Sequence, residues 1–189
     1  MIQLSYSTMV ILITIVWCVV RIVCTIKKRD VDLHREMQLM LVYICIIGIV
    51  RLTFFSWTDS RLNAQTLVCT LPNVYPLQIN LLPFVYMFDY PNIYGMFVNV
   101  VGNIVMFIPL GMVWPSVYKE LDKPWKVILA GFGITLSIEI LQLPFYGRIS
   151  DIDDLILNLL GFVIGYWMYN TTKIVFKHLH TTIQHKELM

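Results

Sequence analysis

The stretch Leu4-Ser-Tyr-Ser-Thr-Met-Val-Ile-Leu-Ile-Thr-Ile-Val-Trp-Cys-Val-Val-Arg-Ile-Val-Cys-Thr-Ile26 decides the fold class. It carries a single charged residue, Arg21. About 20 consecutive apolar residues suffice to carry a helix across a bilayer. No Lys or Arg precedes Arg21, and no small-residue cleavage site follows the run. The stretch therefore reads as a retained first membrane helix and not as a signal peptide.

The rest of the chain agrees. It has 189 residues, of which 58% are hydrophobic and 14% charged. Soluble proteins average roughly 45–50% and 25%. The mean hydropathy is +0.71. These values exclude a disordered chain, which needs low hydrophobicity and high charge, and argue against a soluble globule. A formal net charge of +2 gives no basis for nucleic-acid binding. Cys18, Cys24, Cys45 and Cys69 show no C-x-x-C spacing, so neither a zinc site nor a disulfide framework is expected.

Four further segments are long and apolar enough to span. They run from about Met37 to Trp57, Ile93 to Tyr118 (interrupted by Pro109 and Pro115), Val127 to Tyr146 and Asp151 to Thr171. The expectation is one all-α transmembrane domain over 1–189, an integral membrane bundle of about five helices. Basic residues set the orientation. With the N-terminus outside and the C-terminus cytoplasmic, ten of the 14 Lys and Arg residues fall inside: Lys27, Lys28, Arg29, Arg35, Lys119, Lys123, Lys126, Lys173, Lys177 and Lys186. Arg21, near the inner end of its helix, reads as a snorkelling residue. The long outer segment, with Asn80-Leu-Leu-Pro-Phe84 and then Tyr86, Phe88 and Tyr90, suits an interfacial or re-entrant element.

Polar residues inside spans are costly and usually face a bundle interior or a cavity. Asn99 and Asn103 share one face of the third helix at i, i+4. Glu139 and Gln142 lie toward the outer end of the fourth, and Arg51 in the outer half of the second. Arg148 occupies the turn before Asp151, Asp153, Asp154 and Asn158 of the fifth. All of them fall at one membrane level. Asp151, Asp154, Asn158, Gly161 and Gly165 form a single seam, polar outside and small-residue inside. Asp153 lies off that seam and is expected to serve the helix N-terminus, with Ser150 as N-cap. Glu139 and Asp154 are the central groups. Arg148 and Arg51 are their expected partners.

The spaced motifs resemble those of the VanZ-like family. Asn80-Leu-Leu-Pro-Phe84 is followed by Asn103-Ile-Val-Met-Phe-Ile-Pro-Leu-Gly111, Ile138-Glu139-Ile-Leu-Gln142, Arg148-x-x-Asp151-x-x-Asp154 and Asn158-x-x-Gly161-x-x-x-Gly165. The resemblance covers residues 78–169. It implies a multi-pass protein of the cell membrane, mostly of Gram-positive bacteria, and a role in glycopeptide (teicoplanin) resistance. It also implies that Asn103, Glu139, Gln142, Arg148, Asp151, Asp154 and Asn158 form a shared site, without saying what that site does.

Three functions compete. The first is a ligand site facing the outer leaflet, formed by Arg51, Asn99, Asn103, Glu139, Gln142, Arg148, Asp151, Asp154 and Asn158. Its partners would be membrane lipids, a lipid-linked wall precursor or a lipoglycopeptide. The second is an intramembrane enzyme acting on such a lipid through Glu139 and Asp154, without a cofactor or with a divalent cation on the all-oxygen set. No histidine falls in the cluster, which argues against Ser-His or Cys-His catalysis and against zinc. A proton-coupled carrier ranks third, because the chain lacks an internal repeat.

Overall fold

Five apolar stretches, each unable to face water, form five helices in the computed structural model. The structure describes residues 2–28, 32–55, 66–69, 78–85, 92–121 and 123–187. The helices are α1 (Tyr6–Lys28), α2 (Leu33–Phe54), α3 (Ile93–Val117), α4 (Pro124–Gln142) and α5 (Ile152–Glu187). All five are long and apolar enough to span a membrane. The chain is an all-α, multi-pass membrane protein. Four short strands join them at one end: β1 (Ile2–Ser5), β2 (Thr66–Cys69), β3 (Ile79–Asn80) and β4 (Ser150–Asp151). β1 pairs antiparallel with β2, and β3 parallel with β4.

The centre of the bundle is the contact of α3 with α5. A Cβ added at Gly161 would collide with the carbonyl of Ile104, one at Gly165 with that of Ile108, and one at Gly111 with that of Phe162. The two backbones touch where small residues permit it, the mode by which helices associate in lipid. Because 161 faces 104 and 165 faces 108, α3 and α5 run parallel. Around this contact Val42, Ile49, Phe107, Leu110, Val127 and Phe162 are buried. A smaller core of Phe54, Phe55 and Leu67 closes the end where β1 and β2 lie.

Several boundaries differ from the sequence reading. Helix α3 runs through Pro109 and Pro115 without a break. Each proline removes one backbone donor, a loss that transmembrane helices tolerate when neighbours satisfy the freed groups. Helix α5 continues to Glu187, well beyond Thr171, as a polar extension of the apolar span. Helix α4 stops at Gln142, and Pro144 and Gly147 (φ 74°) shape the turn that follows. Arg21 forms an ion pair with Glu36 in the first turn of α2, a partner the sequence reading did not name. Of the expected interfacial segment, Ile79–Asn80 forms a strand and residues 83–85 a turn, while Tyr86, Phe88 and Tyr90 lie outside the described residues. The four cysteines are free.

The α3–α5 contact predicts a sharp positional contrast. Gly161→Ala should lower stability by about 2 kcal/mol, the scale of overpacking a tight contact. Gly102→Ala, on the same α3 but with open space at its Cβ position, should be neutral or slightly stabilising. Thermal unfolding of the two variants in one detergent checks this, and similar melting temperatures would contradict the close approach.

Candidate functional site

The parallel run of α3 and α5 brings their N-terminal turns together at the end where α2 and α4 terminate. Polar residues from all four helices meet there. Asn99 and Asn103 come from α3, Glu139 and Gln142 from α4, and Asp154 and Asn158 from α5, joined by Asp151 of β4 and Arg148 of the preceding turn. They line one cavity of about 310 Å³, completed by Leu52, Thr53, Gly147 and Ile149. Eight of the nine residues expected to bind ligand therefore share a single space. The ninth, Arg51, is not among the cavity's lining residues: its Nη1 donates to the Phe55 carbonyl at 2.9 Å and its guanidinium lies 5.4 Å from the centre of the Tyr6 ring.

Carboxyl groups in an apolar bundle need donors, and backbone and amide N–H groups supply them. Glu139 Oε2 accepts the Asp151 backbone N–H at 3.0 Å. Asp154 Oδ1 accepts from Asn103 Nδ2, which also reaches Asn99 Oδ1 at 3.3 Å. Asp151 accepts from Asn80 Nδ2 at both oxygens, each at 3.1 Å, and from the Asp153 backbone N–H at 2.9 Å. The last contact makes Asp151, and not Ser150, the side chain that caps α5: the helix begins at Ile152, so Asp151 holds the N-cap position and Ser150 stands one residue outside it. Asp151 accordingly sits in β4 just before the helix. Asp153 is buried away from the cavity and accepts the Phe84 N–H at 2.8 Å. That bond holds Phe84 at φ 65°, a left-handed conformation costing a non-glycine residue about 1–2 kcal/mol.

The arginines take other partners than expected. Arg148 Nη2 donates to the Phe54 carbonyl at 2.7 Å, and Gln142 Nε2 donates to the Thr53 carbonyl at 3.1 Å. With Arg51 on Phe55, three side chains serve the last carbonyls of α2. Those groups have no partner within the helix and carry its partial negative charge, which suits a guanidinium. No arginine–carboxylate ion pair lies in the cavity among the described residues. Burial lowers the Arg148 pKa below its ordinary value, and the Asp154 carboxylate opposes that shift.

Asn80 was legible only as part of a motif. Its contact with Asp151 depends on β3 pairing with β4 across 71 positions of sequence, which no local pattern announces. Among the described residues no three His, Cys, Asp or Glu side chains are arranged to hold a metal ion.

A polar cavity at the ends of four of the five spanning helices defines a class: multi-pass membrane proteins with a buried polar site. The chain belongs to the VanZ/LLP1 family, whose model matches residues 40–176. The match takes in most of α2 as well as the motif-bearing region. No curated protein and no solved structure matches the chain.

The Asn80–Asp151 clamp should be a stability determinant of the site. Asn80→Ala removes both bonds to a charged acceptor and should cost about 2–3 kcal/mol. Asn80→Asp, which opposes two carboxylates, should cost more. Melting temperatures of the purified protein check both, and an unchanged Asn80→Ala variant would remove the clamp from the account.

Proposed function

We propose that this VanZ-family protein contributes to glycopeptide (teicoplanin) resistance in the cell envelope by holding a polar lipid or lipid-linked envelope ligand at a site facing the outer leaflet. The observation that carries the reading is the convergence of three carboxyl groups, four amide side chains and one arginine on one cavity at one end of an otherwise apolar bundle. Polar groups at such depth generally mark sites of function. The basic residues Lys119, Lys123 and Lys126 lie in and beside the α3–α4 connection, at the opposite end. By the positive-inside rule that end is cytoplasmic and the cavity end faces outward.

An apolar groove of about 680 Å³ supports a ligand with a tail. Ile138 and Leu141 of α4 line the groove, while Glu139 and Gln142 of the same turns line the polar cavity. Head and tail of an amphiphile would thus meet α4 at one level on neighbouring faces. A second reading rests on Glu139 and Asp154 lining the same cavity: an intramembrane enzyme could use one as base and the other as acid on a lipid substrate. It requires that purified protein convert an envelope lipid and that Glu139→Gln abolish the conversion.

The direct test is teicoplanin susceptibility of a Gram-positive host making wild type, Glu139→Gln or Asp154→Asn at matched membrane levels. Wild type should protect, and each substitution should remove most of that protection. Equal protection by all three would make the cavity structural.

A further inference from the structure

The cavity is richer in acceptors than in donors, and this points to the charge of what it takes. Its lining carries three carboxyl groups against one guanidinium, and Arg148 spends an N–H on the Phe54 carbonyl. Two more acceptors wait beside them. Gln142 is 6% exposed and Asn158 is 1% exposed, and neither Gln142 Oε1 nor Asn158 Oδ1 has a hydrogen-bond partner. The orientation of Gln142 is fixed by chemistry: only its NH₂ can donate to the Thr53 carbonyl, so its oxygen must point elsewhere. A buried acceptor without a donor costs about 1–3 kcal/mol, and two in one cavity alongside under-compensated carboxyl groups form a site lacking a donor.

We propose that the cavity binds a primary ammonium group, and that this cationic part of an envelope amphiphile is what the polar site recognises. An ammonium offers three N–H donors and one positive charge on a compact centre. Asp154, Asn158 and Gln142 line the same cavity, so an ammonium's charge and donors answer the carboxyl excess and the acceptor surplus of one space. A phosphate would add charge of the wrong sign to the same space. A divalent cation would compete for the same oxygens, and the titration below separates it from an amine. The inference rests on the reading of this cavity as a ligand site and names its ligand class.

The test varies the ligand first, so that it does not depend on a variant folding. Wild-type protein in detergent is titrated with short-chain phosphatidylethanolamine, its N-acetyl derivative and phosphatidylcholine of matched chains. The amine should bind at least about tenfold tighter than either, because N-acetylation removes the charge and methylation removes the donors. Asp154→Asn should erase that preference while keeping affinity for the N-acetyl lipid. Displacement by free ethanolamine would locate the recognised group in a soluble amine, and its failure to displace would locate it in a lipid headgroup; both support the ammonium. Equal affinity for the amine and N-acetyl forms, or displacement of the amine by micromolar Mg²⁺ or Ca²⁺, would overturn the proposal. Because binding is read on purified protein, the proposal can fail while teicoplanin protection survives, and the reverse.

Discussion

The backbone contact between α3 and α5 is the constraint on which the rest of the structure depends. Gly161 and Gly165 let two carbonyls of α3 approach α5, and Gly111 lets a carbonyl of α5 approach α3. This fixes the register of the two helices to within a residue. Ile104 lies opposite Gly161, and its neighbour Asn103 bonds Asp154, two turns before Gly161 on α5. A helix pair held by side chains alone could slide and still bury apolar surface, since lipid tails and leucine are equally apolar. A pair held by backbone contact cannot. The position of the polar site is thus a consequence of packing some 10 Å away, at about 1.5 Å per residue along the helix.

Around that fixed pair, the polar groups do two jobs at once. Arg148 and Gln142 cap the carbonyl end of α2 and also line the cavity. Asp151 caps the amide end of α5, clamps Asn80 and lends its own N–H to Glu139. A helix end in a membrane protein cannot be left to water, so its four orphan groups must be met by side chains from neighbours. A polar cavity where four helix ends converge uses groups that the fold needs there in any case. The Phe54 carbonyl likewise holds Arg148, which forms no ion pair with the cavity's carboxyl groups among the described residues.

What the sequence made legible follows from the same physics. Periodicity and length announce the five spans, and the 3, 4, 3, 4 spacing from Asp151 to Gly165 announces the face of α5 that packs. Depth alone gathers Asn99, Asn103, Glu139, Gln142 and Asn158, because polar residues in lipid have few reasons to be there. What stayed hidden are the contacts that depend on chain crossings between distant segments. The β3–β4 pairing, the Asn80 clamp and the choice of Asp151 over Ser150 as cap arise from strand pairing at the bundle's end. The partner of Arg21 is a further case, since Glu36 lies on the next helix and a single span seen alone does not name it.

The imbalance of acceptors and donors bears on why such a cavity persists. Each buried oxygen without a donor subtracts from a stability that is small to begin with. Filling the cavity with leucine or phenylalanine would remove that cost and leave an apolar core of the kind found around Phe107 and Phe162. The structure instead keeps Gln142 Oε1 and Asn158 Oδ1 buried and unmet beside Asp154. A site of this kind recovers its cost on binding: a ligand present at a hundred times its dissociation constant returns about 2.7 kcal/mol to the folded state. Under the proposed binding, ligand occupancy and folding would be linked at this end of the bundle. The same carboxyl and amide oxygens that weaken the empty protein are the ones through which a donor-bearing ligand would hold α3, α4 and α5 together.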